Sequence, residues 1–186
     1  MSKPRQVQEI SVTTPGVFPP DALSCDTPVL IRGLVSHWPS VKAANNGNNS
    51  LLDYLGSLHR DEPILAFRGA PDMSGRYFYN DDLTGFNFER VNTTLGRFLE
   101  RMASTEADDY AYIGSSTVED YFPGFESQNA LDIGESSPLV SIWMGNRSRV
   151  AAHFDAPSNV ACVVSGHRRF TLFPPEQLPN LYVGPL

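Results

Sequence analysis

Four short segments in the second half of the chain constrain its fold more than anything else in the sequence. They are PLVSIWMG (138–145), RVAAHFD (149–155), SNVACVVSG (158–166) and RRFTLFPP (168–175). Each is rich in β-branched and aromatic residues, and Gly, Asn and Pro turns separate them. Closely spaced strands of this kind favour an antiparallel barrel or a double-sheet architecture.

The first half reads differently. PVLIRGL (28–34) and PILAF (63–67) are strand-like, and SHWPS closes the first of them with a proline turn. AANNGNN (43–49) has the composition of a loop. Ser50 is expected to cap a helix carrying Leu51, Leu52, Leu55 and Leu58 as one apolar stripe. Asn92 or Thr93 is expected to cap a second helix, with Leu95, Phe98, Leu99 and Met102 on its buried side. Between them, GAPDMSGRYFYNDDLTGFNFER has the turn-rich, aromatic texture of an irregular arm. DYAYIGS is a further strand, and PGFESQNALDIG reads as a loop. Residues 1–9 are polar and expected to be loose, with one domain over 10–186.

Length and composition agree with a single globular domain. A chain of 186 residues buries one sizeable core, and an apolar share of 41% argues against disorder. The net charge of −7 gives no support for a nucleic-acid or anionic-membrane partner, with His167-Arg168-Arg169 the one basic run. Cys25 and Cys162 form no CxxC or disulfide framework, and the N-terminus has no apolar signal segment. No stretch approaches 18 apolar residues, so a cytoplasmic protein without a membrane span is expected.

The chemistry sits in AAHFDAPSNV. On a strand, His153 and Asp155 point to one side and Phe154 to the other. An imidazole and a carboxylate that converge are the start of a two-His-one-carboxylate iron site. Taken alone, H-x-D is a weak signal: a local hydrogen bond at a strand end, with Asp155 opening a turn before Ala156-Pro157, is its far commoner meaning.

The neighbours add to it. In order come His153, Asp155, Asn159, Gly166, Arg168, Phe170, Phe173, Pro174, Pro175 and Tyr182. This run, with PVLIRGLVSHWP near the start, resembles the cupin-like, JmjC-related oxygenases, the group that includes the asparaginyl hydroxylase acting on hypoxia-inducible factor. The resemblance implies a double-stranded β-helix (a jelly roll, mainly β) with N-terminal helices. It also implies iron(II) and 2-oxoglutarate as cofactors, dioxygen as oxidant, and hydroxylation of a protein side chain or small molecule.

By the same resemblance, His153 and Asp155 match two iron ligands. Arg168 falls where many relatives have the lysine that pairs with the distal carboxylate of 2-oxoglutarate, and a guanidinium binds a carboxylate with a different fork. On a strand His167 and Arg169 face away from it; a solvated Arg168 is the simple alternative. Tyr112 matches the tyrosine that lends a hydroxyl to that carboxylate, and a buried core tyrosine is the other reading. Asn159 either orients the cosubstrate or caps a turn. Val150 stands where the asparaginyl hydroxylase has a threonine donor. Trp143 reads as a core residue.

The family's second histidine lies beyond the FPP segment. His37, His59 and His167 read as surface or packing residues, so the chain is expected to be an N-terminal portion of a longer protein, with the jelly roll and the metal site incomplete. A homodimer is one way to complete either. The alternative to an oxygenase is a non-catalytic cupin-like structural or interaction protein.

Overall fold

The structure is a computed structural model, and it describes residues 6–104, 108–134, 137–155 and 157–181. Its centre is a four-stranded antiparallel sheet. The strands are β3 (Pro63–Gly69), β5 (Phe88–Thr94), β6 (Tyr110–Thr117) and β7 (Ser141–Gly145), ordered β5-β3-β6-β7. A parallel pair, β1 (Gln8–Ser11) with β2 (Val29–Arg32), forms a separate ribbon. The expected loose N-terminus therefore already carries paired residues at Gln8 and Glu9, and residues 1–5 lie outside the described set.

Register assigns every sheet side chain to one of two faces. Phe67 lies opposite Tyr112, and Tyr112 opposite Gly145; Ile113 lies opposite Met144, and Ser116 opposite Ile142. Successive residues alternate. One face thus holds Ile64, Ala66, Ala111, Ile113, Ile142 and Met144, and the other Leu65, Phe67, Tyr112 and Trp143. A bulge between Ile113 and Ser116, with Ser115 at φ 53°, absorbs one irregularity and keeps the register on either side.

The first face packs on helices. α2 (Asn48–Leu58) and α3 (Leu95–Ala103) bring Leu55, Leu95, Phe98 and Leu99 into one cluster with Ile64, Ala66 and Ile113. Each apolar side chain fully buried here contributes about 1.5–3 kcal/mol. Both leucine stripes fall as their spacing predicts, with Leu51, Leu52, Leu58 and Met102 packed against the cluster.

The helix starts differ from the expected ones. Asn92 and Thr93 belong to β5, where they pair with Leu65 and Ile64; the ladder runs on to Thr94, which is the cap. The Arg97 N–H donates to Thr94 Oγ1 at 3.4 Å, and the Gly96 N–H to Asp61 Oδ1 at 2.8 Å, so two oxygens serve the helix's unpaired donors. Ser50 lies inside α2, whose N-cap is Gly47 at φ 115°, a conformation glycine reaches without a Cβ penalty.

The Asn-rich stretch is mostly helical. α1 (Pro39–Asn45) starts with Pro39 in its first turn, where the missing N–H costs nothing, and only Asn46-Gly47 separates it from α2. The stretch expected to be a loop at 123–134 contains α5 (Phe125–Gln128), after α4 (Val118–Tyr121). Tertiary contact overrides composition there. Phe125 meets Trp38 edge-on at 6.4 Å, and the buried Asn129 accepts from the Ser40 N–H and hydroxyl at 3.1 and 2.7 Å.

The aromatic arm reaches across the second face. Its two-residue strand β4 (Arg76–Tyr77) pairs in parallel with β8 (Arg149–Val150). Gly75 makes the approach feasible, since a Cβ there would lie 2.2 Å from the Arg147 carbonyl oxygen.

The second half departs most from expectation. PLVSIWMG supplies β7, but RVAAHFD leaves its ladder after Val150, and neither SNVACVVSG nor RRFTLFPP pairs among the described residues. A strand needs a neighbour for its N–H and C=O groups and a second layer for its apolar side chains. Phe154, Val163, Phe170 and Leu172 remain exposed. The antiparallel sheet and the sheet-rich plan are consistent with a jelly roll, here with helices on one face. The end of the chain from Tyr182, and Ala156 of the expected turn, fall outside the described residues.

Leu95→Ala is expected to cost about 2–5 kcal/mol in urea unfolding, whereas Phe154→Ala, at 83% exposure, should stay within about 0.5 kcal/mol.

Candidate functional site

The second face of the sheet is built around Tyr112. Its ring lies 6.2 Å from Phe67, 5.7 Å from Tyr77 and 6.1 Å from Trp143, and only 7% of the residue is exposed. Glycines make the space. A Cβ at Gly145 would come within 3.0 Å of the Tyr112 ring, and one at Gly114 within 3.0 Å of Trp143 and 3.1 Å of Tyr112. Trp143 is thus not a core residue as expected; it lies exposed on this face, because the β6–β7 register turns it away from the helices.

Burial pushes the Tyr112 phenol up to about 12, against the nearby Arg168 guanidinium, whose charge acts to lower it. Tyr77 is likewise pushed up to about 12, by burial first and then by the Tyr112 charge. At neutral pH both phenols are protonated and able to donate. Arg168 is exposed, and its positive charge is felt at the buried Tyr112 phenol, opposing the effect of burial.

His153 and Asp155 follow directly on β8. They are not on a strand, so strand alternation is not what puts them on one side. Even so, His153 Nε2 lies 3.9 Å from Asp155 Oδ1, with both side chains about half exposed. Two donors about 2.1 Å from one metal ion stand roughly 3–4 Å apart, so this separation suits a shared ion. His153 Nδ1 lies 2.9 Å from the Ala151 carbonyl oxygen, so a proton on Nδ1 donates there and leaves the Nε2 lone pair free.

Asn159 lies against the carboxylate. Its amide donates to Asp155 Oδ2 at 3.1 Å and approaches the Pro157 carbonyl at 3.5 Å. Val150 pairs with Tyr77 in the β4–β8 ladder. The other histidines stand apart: His59 Nδ1 contacts the Gly56 carbonyl at 2.6 Å at the end of α2, and His37 packs beside Gly16. Among the described residues no three His, Cys, Asp or Glu side chains gather to hold a metal. The donor set therefore fits as two ligands, one nitrogen and one oxygen, acceptable to a borderline divalent ion.

Tyr77 is a site residue that sequence reasoning missed. Its signal is faint: in GRYFYN, Arg76 and Phe78 flank it, and the Arg76 guanidinium stacks over the Phe78 ring at 4.4 Å.

Residues 16–186 match the cupin-like domain family. The chain belongs to that family. This cupin-like chain is 38% identical over 196 residues to the lysine-specific demethylase JMJ31 of Arabidopsis thaliana, covering 86% of itself and 34% of that protein. It is 25% identical over 199 residues to the JmjC domain-containing protein E of Dictyostelium discoideum, covering 96% of itself and 55% of the relative. The chain thus spans about a third to about half the length of these curated relatives. No solved structure matches it significantly. No helix among the described residues is long and apolar enough to cross a membrane.

The two buried phenols set a pH dependence. Their folded values lie above the ordinary 10.0, so their contribution is complete below pH 10 and is lost as pH rises through about 12. Urea midpoints followed upward from about pH 9 should fall, and Tyr112→Phe should flatten that fall.

Proposed function

We propose that this cupin-like chain carries the greater part of an iron(II)- and 2-oxoglutarate-dependent oxygenase site that hydroxylates a protein side chain or a small molecule. The observation that carries the reading is His153 Nε2 at 3.9 Å from Asp155 Oδ1 on the segment leaving β8, whose partner strand β4 sets the Tyr77 ring against the buried Tyr112. A phenol donor walled by Phe67, Tyr77 and Trp143, with the Arg168 charge acting on it, is suited to a carboxylate.

His153 would hold the metal through Nε2 and Asp155 through its carboxylate, with a third ligand from outside the described residues. Asn159 would fix the Asp155 carboxylate, as partners of metal ligands generally do. Arg168 and Tyr112 would hold the distal carboxylate of 2-oxoglutarate, and the Val150 side chain offers no donor to it. The aromatic wall would keep water from the carboxylate and strengthen both hydrogen bonds. Iron and 2-oxoglutarate, when bound, supply the oxidation: dioxygen places one oxygen in succinate and the other in the substrate, with loss of carbon dioxide. The printed name of the Arabidopsis relative makes a modified lysine side chain one member of the protein-substrate class. The free thiols of Cys25 and Cys162 suit a reducing, cytoplasmic setting, with the enzyme acting alone or as a homodimer.

Calorimetric titration with Mn(II) as a redox-silent surrogate, then with 2-oxoglutarate, tests this. Arg168→Ala should weaken 2-oxoglutarate binding by about 10- to 100-fold, since charged hydrogen bonds contribute about 1.5–3 kcal/mol. His153→Ala and Asp155→Ala should abolish metal binding and, in a form that supplies a third ligand, iron-dependent succinate formation. A wild-type chain that binds neither metal nor 2-oxoglutarate would instead be a non-catalytic cupin-like structural or interaction protein.

A further inference from the structure

Tyr77 is where the two parts of the candidate site meet. Its backbone pairs with Val150, three residues before His153. Its ring lies 5.7 Å from the Tyr112 ring at an interplanar angle of 44°, and 5.3 Å from Phe88. Its hydroxyl donates to the Phe67 carbonyl at 3.3 Å, and Phe67 is the residue directly opposite Tyr112 in the sheet. Through its backbone Tyr77 thus meets the strand before the metal-binding segment, and through its side chain the Tyr112 ring and the strand that carries Phe67.

The surroundings leave Tyr112 dependent on it. On the sheet side the Tyr112 ring rests against Gly145 and Gly114, which offer no side chain to hold it. Phe67 and Trp143 flank it at 6.2 and 6.1 Å, farther than Tyr77. Tyr77 is in turn fixed from several sides. Gly75, at φ 72°, accepts from the Arg149 N–H at 2.7 Å and draws β4 onto β8 at a distance no other residue would allow. Phe88 closes the far side of the ring, and only 7% of Tyr77 is exposed.

We propose that Tyr77 is a positioning residue for the cosubstrate: its ring holds the Tyr112 phenol in one orientation while its backbone ties that phenol to the strand leading into His153. This rests on the reading that Tyr112 and Arg168 grip the 2-oxoglutarate carboxylate. The chemistry is that of pre-organisation. A phenol held in one rotamer loses little freedom on binding a carboxylate, and a loosened one gives up part of the affinity to ordering. Protonation serves the same end, because burial under Tyr77 keeps the Tyr112 O–H available as a donor.

Three variants test it: Tyr77→Leu, Tyr77→Phe and Tyr77→Leu combined with Tyr112→Phe. Tyr77→Leu should weaken 2-oxoglutarate binding about tenfold and leave Mn(II) binding within about twofold, while Tyr77→Phe, which keeps the ring, should restore affinity to within about twofold. A second readout needs no cosubstrate. Phenolate absorbance near 295 nm at about pH 10.5 should gain one group in Tyr77→Leu, as Tyr112 opens to water and returns toward its ordinary value, and the double variant should lose that gain. A folded Tyr77→Leu protein with the wild-type phenolate titration overturns the proposal, and so does a Tyr77→Phe as weak as Tyr77→Leu. If Tyr77→Leu loses its far-ultraviolet dichroism, Tyr77→Met, which refills the volume without a ring, takes its place with the same expected results. Failure of the wild-type chain to bind 2-oxoglutarate falls instead on the oxygenase reading, and the phenolate gain then decides alone whether Tyr77 holds Tyr112.

Discussion

The antiparallel register that sets Phe67 opposite Tyr112 and Tyr112 opposite Gly145 is the constraint on which the rest of this molecule depends. Because side chains alternate, a shift of one residue would exchange the two faces completely. Ile113 would leave the helix-covered core and Tyr112 would enter it. The apolar demand of Ile64, Ala66, Ile113 and Met144 for the helices fixes that register, and the site face follows from it.

The same constraint explains the glycines. Gly114 and Gly145 lie where the Tyr112 and Trp143 rings cross β6 and β7, and a methyl at either would meet a ring or backbone at about van der Waals contact or closer. Core and site are therefore two sides of one sheet. The bulge at Ser115 concentrates the irregularity away from Tyr112.

Several features were legible from local pattern. The leucine stripes of α2 and α3 and the strands at 63–69 and 110–117 all follow from spacing of two, three or four residues. Composition misled where tertiary contact was the stronger term. The stretch 43–49 has a loop's composition, yet Ala43, Ala44 and Asn45 continue α1, and Asn48 and Asn49 open α2 after a break of two residues. Phe125 and Asn129 made a helical turn from a segment with loop composition, through burial against Trp38 and Ser40. Thr94 rather than Asn92 or Thr93 caps α3, since the β3–β5 ladder consumes the earlier residues first.

By itself the sequence determined which residues are candidates for chemistry: an imidazole and a carboxylate two apart, an arginine, and a tyrosine on an alternating strand. Those are properties of residue type and short spacing, and they survive whatever the distant chain does. Only the tertiary structure decided which of them meet. It packed Tyr77 of the aromatic arm against the Tyr112 ring, set Phe67 and Trp143 on either side of it, and left the described residues between 151 and 173 without a ladder. The physical reason is that approach between distant segments is set by sheet register, by the room that Gly75, Gly114 and Gly145 leave, and by which strands find partners, none of which a local window of sequence contains.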